Sequence, residues 1–459
     1  MNLIASLQSL VGPAGVLDAA DVATRSAGVF RSGSLRARAL VRPASTEEVA
    51  AVLRWCHQHD VKVVPQGGLT GLVQGADAAP DELILSTERL RTIEHIDPPQ
   101  RTATVQAGVT LQALQEAALD HGLMYPLDLG ARGTATVGGN AATNAGGNRV
   151  IRYGMTRDMV LGLEAVLADG TIVSSMSGLI KNNTGYDLKQ LFIGSEGTLG
   201  VITRLVLRLR EKPLASQTAL VAVDGFDQVA ALLRHMDRRL GGGLSAFEVM
   251  WQSFYRLVTT PPAKGKPPLS QDHPFYVLIE SQGADPELDG QRFESALESA
   301  LDAGLVADAA IAQSEADSQS FWGLRDDVEQ IMHGGAPVTF DVSLPIGEMD
   351  AFIRGLETRL PAAIGEHRLF TFGHLGDGNL HVSVQVTAER HAALKPTICE
   401  IVYGGLQGID GSVSAEHGIG LEKKPWLPIS RTPTELAVMR AIKQALDPRG
   451  LLNPGKVLD

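Results

Sequence analysis

His374 and His381 stand on either side of a glycine-rich turn, Phe372-Gly373-His374-Leu375-Gly376-Asp377-Gly378-Asn379-Leu380-His381. Imidazole is the commonest protein metal ligand, and the flanking stretches 368–374 and 381–386 alternate apolar residues as paired strands do. Asp377-Gly378 supplies the φ > 0 residue that such a turn requires. Symmetric pairing about the turn places His374 directly opposite His381. Cross-strand Cβ atoms about 4.5–5.5 Å apart then let two imidazoles grip one ion. Further along, Ser414-Ala415-Glu416-His417-Gly418-Ile419-Gly420 offers Glu416 as a third, anionic ligand. That set leaves the open coordination positions of a catalytic metal site, with His417 left over as a base. A histidine taken singly more often packs or caps; the pairing is what favours a metal. Two histidines and a carboxylate suit zinc, manganese and non-haem iron alike, so the rest of the chain must decide the chemistry.

The elements that carry these groups belong to a chain of 459 residues, too long for one core and suited to two or three domains. A hydrophobic share of 44% and a charged share of 20% are those of an ordinary globular protein. The formal net charge of -12 argues against a nucleic-acid partner. Cys56 and Cys399 are too few for a disulfide framework and fit a reducing compartment. Met1 to Leu17 lacks the basic start and long apolar run of a signal peptide, and no stretch has the roughly twenty apolar residues that span a bilayer. A cytoplasmic protein, with peripheral attachment to the inner membrane as the variant, is the expectation.

The glycines cluster in the first half. Ser45-Thr46-Glu47-Glu48 opens a helix as a capping box, with Val49, Val52, Leu53 and Cys56 at helical spacing. A strand, Lys62-Val63-Val64-Pro65, then runs into Gln66-Gly67-Gly68-Leu69-Thr70-Gly71-Leu72. Backbone N–H groups exposed at such a turn form a nest suited to a pyrophosphate, although a plain surface turn would look much the same. Strands at Leu83–Ser86 and Ala103–Ala107, and a helix capped by Thr110 and closed by Gly122, follow. Gly133 to Asn140 and Thr143-Asn144-Ala145-Gly146-Gly147 again concentrate glycine, threonine and asparagine, as where backbone closely approaches a large polar ligand. Val160 to Leu167 and Thr171-Ile172-Val173 read as a hairpin. Gly194-Ser195-Glu196-Gly197-Thr198-Leu199-Gly200 enters a strand ending near Arg210.

Pro65 to Gly71, Thr136 to Gly147 and Gly194 to Thr203 together resemble the flavin domain of the vanillyl-alcohol oxidase / p-cresol methylhydroxylase flavoproteins. With the histidine turn, Glu416-His417-Gly418 and the tail Asp447-Pro448-Arg449-Gly450-Leu451-Leu452-Asn453-Pro454-Gly455-Lys456, the whole chain is similar to their D-2-hydroxyacid dehydrogenase branch. The resemblance implies an α+β fold: a two-subdomain FAD-binding domain over 1–212, and an antiparallel-sheet cap with helices on one face over 213–419. Residues 420–459 would return to the flavin.

By that resemblance, non-covalent FAD is held by Pro65, Gly67, Gly68, Leu69, Thr70, Gly71, Leu72, Pro126 and Thr136. Gly138, Gly139, Asn140, Thr143, Asn144, Gly146, Gly147, Glu196, Gly200, Ile202 and Asn453 complete the cradle. The divalent metal, zinc before manganese or iron, is held by His374, His381 and Glu416. His417 is the general base, and Arg325, otherwise a solvated helix residue, clamps the substrate carboxylate in the bidentate manner that suits arginine. The implied reaction oxidises a D-2-hydroxy acid to the 2-oxo acid. Hydride goes to flavin N5 and the electrons to an electron-transfer flavoprotein, a quinone or a cytochrome. Thr339 and Ser383 line the pocket where 2-hydroxyglutarate enzymes of the branch carry Lys and Asn. These departures favour a D-lactate-like acid, with D-2-hydroxyglutarate as the alternative. A non-catalytic flavin-fold subunit of a larger oxidase complex is an alternative of another class. A homodimer is expected.

Overall fold

The computed structural model describes residues 2–28, 31 and 33–459. Met1, the first residue of the stretch read above as lacking a signal peptide, lies outside them. The chain divides into two compact units. Met1–Gly147, Gly154–Lys212 and Glu416–Asp459 form the first, and Asn148–Tyr153 with Pro213–Ala415 the second.

The first unit holds two main sheets. One takes the strands in the order Val16–Asp18, Ala39–Val41, Leu83–Ser86, Val63–Gln66, the last three parallel. The helix Thr46–His59 connects two of them and buries Val49, Val52, Leu53 and Cys56, the apolar positions its spacing marks. Ser45 caps it by accepting the Glu48 N–H at 3.2 Å. Glu48 reaches back to the N–H of Ala44 rather than that of Ser45, so the reciprocal box is displaced by one residue. The other sheet is antiparallel, in the order Ile93–Asp97, Thr102–Gln106, Val201–Arg208, Val160–Val166, Ile172–Ser175. The C-terminal segment joins the first sheet: Val63 and Leu452 form a parallel bridge, and Asn453 N–H donates to Val63 O at 2.8 Å.

The second unit is built on one seven-stranded antiparallel sheet. Its strands are β1 (Ala215–Val223), β2 (Leu244–Trp251), β3 (Phe275–Gly283), β4 (Asp308–Ile311), β5 (Ala336–Ser343), β6 (Arg368–His374) and β7 (Asn379–Val386). They lie in the order β4-β1-β3-β2-β6-β7-β5. Its longer helices are α1 (Phe226–Leu240), α2 (Gln252–Thr259), α3 (Pro286–Asp302), α4 (Glu315–Asp326), α5 (Met349–Ile364) and α6 (Ala388–Gly404). Helices cover both faces of this sheet, not one. Phe226 of α1 packs on Trp251 and Phe275, while Tyr403 of α6 meets Phe340 edge-on. On the opposite face, Phe254 of α2 stacks on Phe372 with ring centroids 4.2 Å apart, and Ser318 of α4 meets Thr218. Accordingly every residue of β2 is buried, the continuous pattern of a strand covered on both sides.

Candidate active site

The hairpin exists, with a register that differs from symmetric pairing. Phe372, not His374, stands opposite His381. The link Leu375–Asp377 is a 3₁₀ turn closed by Gly378 at φ 84°, and it shifts the partners by two residues. His374 therefore sits diagonally from His381 on the same face, since side chains alternate along a strand. Their rings meet edge to face with centroids 5.3 Å apart. Diagonal neighbours remain within reach of long side chains.

The register builds a polar row around this pair. Asp341, His381, Phe372 and Met250 are successive partners across β5, β7, β6 and β2, and Glu248 is the partner of His374. Glu248 is 1% exposed and its carboxylate lies 2.8 Å from His374 Nδ1. With Nδ1 donating to that carboxylate, the lone pair sits on Nε2, where it accepts from Arg325 Nη2 at 3.2 Å; a metal at Nε2 would take that donor's place, in the arrangement in which a carboxylate orients a histidine ligand. Burial alone would push the Glu248 carboxyl up; the partners His374 and Arg325, hydrogen-bonded to it, outweigh that and hold it below its ordinary value.

Arg325, in the last turn of α4, is buried. It donates from Nε to Glu248 at 2.8 Å, places Nη2 3.2 Å from His374 Nε2, and lies over the Phe372 ring. The guanidinium is thus a buried member of the histidine network rather than a solvated helix residue. Asp341 is fully buried, accepting from Asn379 Nδ2 at 2.9 Å and Ser414 Oγ at 3.3 Å. Thr339 and Ser383 are cross-strand partners of each other, the first exposed and the second buried, one step along the face from Asp341 and His381. Sequence reasoning missed Glu248. Its signal was a lone carboxylate in the apolar run Phe247-Glu248-Val249-Met250-Trp251. Such a charge is buried only with partners.

In the first unit the glycine-rich loops come together, largely against one another. A Cβ on Gly68 would lie 1.9 Å from Thr134 O, one on Gly138 2.5 Å from the Ala107 Cβ, and one on Gly147 2.1 Å from Asp128 O. The close approach read from these glycines is therefore to the chain's own backbone. Gly200 likewise accommodates the Phe192 ring. Gly71 differs, with no atom of the described residues within 4 Å of a built Cβ. Thr136 caps the helix Val137–Thr143, which ends at Asn144 in a left-handed conformation. Pro65 lies in the strand Val63–Gln66, Ile202 in Val201–Arg208, and Pro126 is buried. Two atoms of this cradle suit a polar ligand: Asn140 Nδ2 and Asn453 Oδ1 are buried and have no hydrogen-bond partner among the described residues. Buried polar atoms are rarely left so. The donor suits a phosphate oxygen or ring carbonyl of FAD, and the acceptor an N–H edge of it.

Glu196 has its carboxylate engaged by the chain's own backbone. Its carboxylate accepts the N–H groups of Ile419 at 2.7 Å and Gly420 at 2.8 Å. Glu416 and His417 open the last segment of the first unit, one peptide bond beyond Ala415 of the second. On the second unit's side the preceding residues are fixed: Ser412 and Ser343 exchange backbone hydrogen bonds, and Ser414 reaches Asp341.

A nucleotide cradle on the first unit and a histidine–carboxylate sheet on the second are the parts of a flavin-dependent oxidoreductase. Residues 37–175 match the family described as FAD binding domain, and residues 212–457 that described as FAD linked oxidases, C-terminal domain. The chain belongs to the FAD-linked oxidases, in their D-2-hydroxyacid dehydrogenase branch, enzymes acting on CH–OH groups. It is 41% identical over 458 residues to a mitochondrial D-2-hydroxyglutarate dehydrogenase of Bos taurus, covering 99% of this chain and 83% of that one. It is 42% identical over 428 residues to a D-2-hydroxyglutarate dehydrogenase of Xanthomonas citri pv. viticola, covering 92% and 89%. In fold it is similar to p-cresol methylhydroxylase with substrate bound, at a TM-score of 0.76 and 16% identity over 99% of this chain and 96% of that chain.

Proposed function

We propose that the chain oxidises D-2-hydroxyglutarate to the 2-oxo acid and passes the electrons to an external acceptor. The relatives, matched nearly end to end, favour this substrate over the D-lactate-like acid to which Thr339 and Ser383 pointed. Those two departures fall on one pair of facing residues, so a single local rearrangement of the pocket can accompany both. FAD, when bound, supplies the two-electron acceptor. A divalent cation, zinc first, would be held by His374, His381 and Glu416 and would supply positive charge that lowers the pKa of a substrate hydroxyl.

The chain's own residues do the remainder. His417 takes the hydroxyl proton, a task suited to imidazole near neutral pH. Glu248 orients His374, and Arg325, held by that same carboxylate, fixes a cationic donor for the substrate carboxylate beside it. The observation that carries the reading is this Glu248–His374–Arg325 arrangement, which gives one histidine the orientation of a metal ligand.

An anaerobic titration of the purified flavoprotein with D-2-hydroxyglutarate, D-lactate and their L-enantiomers, with and without EDTA, tests it. Bleaching of the flavin band by D-2-hydroxyglutarate, lost on chelation, is the expected result. Bleaching by D-lactate at lower concentrations would return the assignment to the smaller acid, and a band that no hydroxy acid bleaches would overturn the function. His417→Ala should slow flavin reduction by about a hundredfold, the usual cost of losing a general base.

A further inference from the structure

We infer that Glu196 is a positioning residue for His417, holding the loop that carries the base rather than the cofactor. The inference rests on the role proposed for His417. Gly418, Ile419 and Gly420 follow that histidine directly, and both glycines have positive φ, 85° and 51°. Such backbone turns successive N–H groups toward one point, a concavity that binds anions. Here the anion is the chain's own: the N–H groups of Ile419 and Gly420 meet opposite oxygens of the Glu196 carboxylate. The fit is close enough that a Cβ on Gly418 would stand 2.8 Å from Oε1. Hydrogen bonds to a carboxylate are among the stronger ones available.

Glu196 is itself fixed on every side. It holds φ 52°, a conformation that side chains rarely adopt and that persists only when its surroundings over-determine it. Its N–H donates to Ala142 O at 2.8 Å, and its carbonyl accepts Asn453 Nδ2 at 2.7 Å. Beyond the loop, Leu421 N–H donates to Val73 O at 3.0 Å and Val457 N–H to Gly420 O at 3.0 Å. His417 therefore leaves a segment whose next residues are tied to three separate parts of the first unit. Glu196 provides a charged side chain among those ties.

The test is a double-mutant cycle on the FAD-loaded holoenzyme, read by rapid-mixing flavin reduction with D-2-hydroxyglutarate. Glu196→Gln keeps the shape but offers one of the two N–H groups a donor instead of an acceptor. It should slow reduction about tenfold, with KM and FAD content as in the parent. In a His417→Ala background the same change should alter the rate less than twofold, because residues that act as a unit are not additive. Equal slowing in both backgrounds, loss of FAD, or a parental rate for Glu196→Gln would each overturn the inference. If Glu196→Gln does not fold, Gly418→Ala presses the same contact from the other side and should give the same cycle. A parental rate for His417→Ala would strike the proposed function instead, and so separates the two failures.

Discussion

Where the first unit turns a corner it does so with backbone: Gly68 against Thr134, Gly138 against Ala107, Asn144 and Glu196 in left-handed conformations. The second unit sets its chemistry on side chains, Glu248, Arg325, His374, His381 and Asp341, projecting from a sheet covered on both faces. In the first kind of site a ligand meets N–H groups whose placement depends on the absence of a Cβ. In the second, each donor is held by a neighbouring side chain whose removal leaves a buried charge. The two are damaged by different substitutions: added bulk for one, removed partners for the other.

The largest effect expected is on the second unit. His381→Ala should lose the metal by elemental analysis and lower turnover at least about a thousandfold, several kcal/mol of lost charge stabilisation, with FAD content unchanged. Metal retained at parental stoichiometry would remove His381 from the ligand set. Next comes Glu248→Gln, which leaves the ligands in place but weakens the fixing of His374. Chelator competition should show metal affinity reduced about 10–100-fold, and an unchanged affinity would mean the carboxylate serves only Arg325.

How far these residues were legible from the sequence depends on which physical cue carried them. The helix Phe226–Leu240 follows from periodicity, and the strand Leu83–Ser86 from a short apolar run. The histidine turn follows from Gly378. The register of that turn does not, because whether Leu375-Gly376-Asp377 coils into a 3₁₀ turn depends on packing: a Cβ on Gly376 would press on Ile151. Strand β2 was missed because residues buried on both faces show no alternation, and Glu248 was missed with it. The glycines gave close approach correctly, but composition does not say whether the neighbour is ligand or self.

Two smaller changes separate those neighbours. Gly68→Ala should destabilise the protein even without FAD, by about 1–3 kcal/mol as overpacking does, seen as a lower Tm of the apoprotein. Gly71→Ala should leave that Tm alone and weaken FAD binding, and equal Tm losses in the two would erase the distinction. Smallest is Asn140→Ala, which removes one neutral donor worth about 1 kcal/mol. FAD binding measured by fluorescence should weaken about fivefold, and no change would mean that Asn140 faces something other than the cofactor.

The first unit is assembled from segments that lie far apart in the chain, and its parallel sheet takes Leu452 alongside Val63 only after the whole second unit has been passed. On the ribosome, then, the second unit can be finished while the first still lacks its closing segment, with Val63 and Leu85 of its core awaiting Leu452. Completion of the flavin-binding half is a late event in biosynthesis. A transcript cut short before Leu452 would yield a chain able to form the histidine sheet yet missing a piece of the other core, a natural substrate for the cell's proteases.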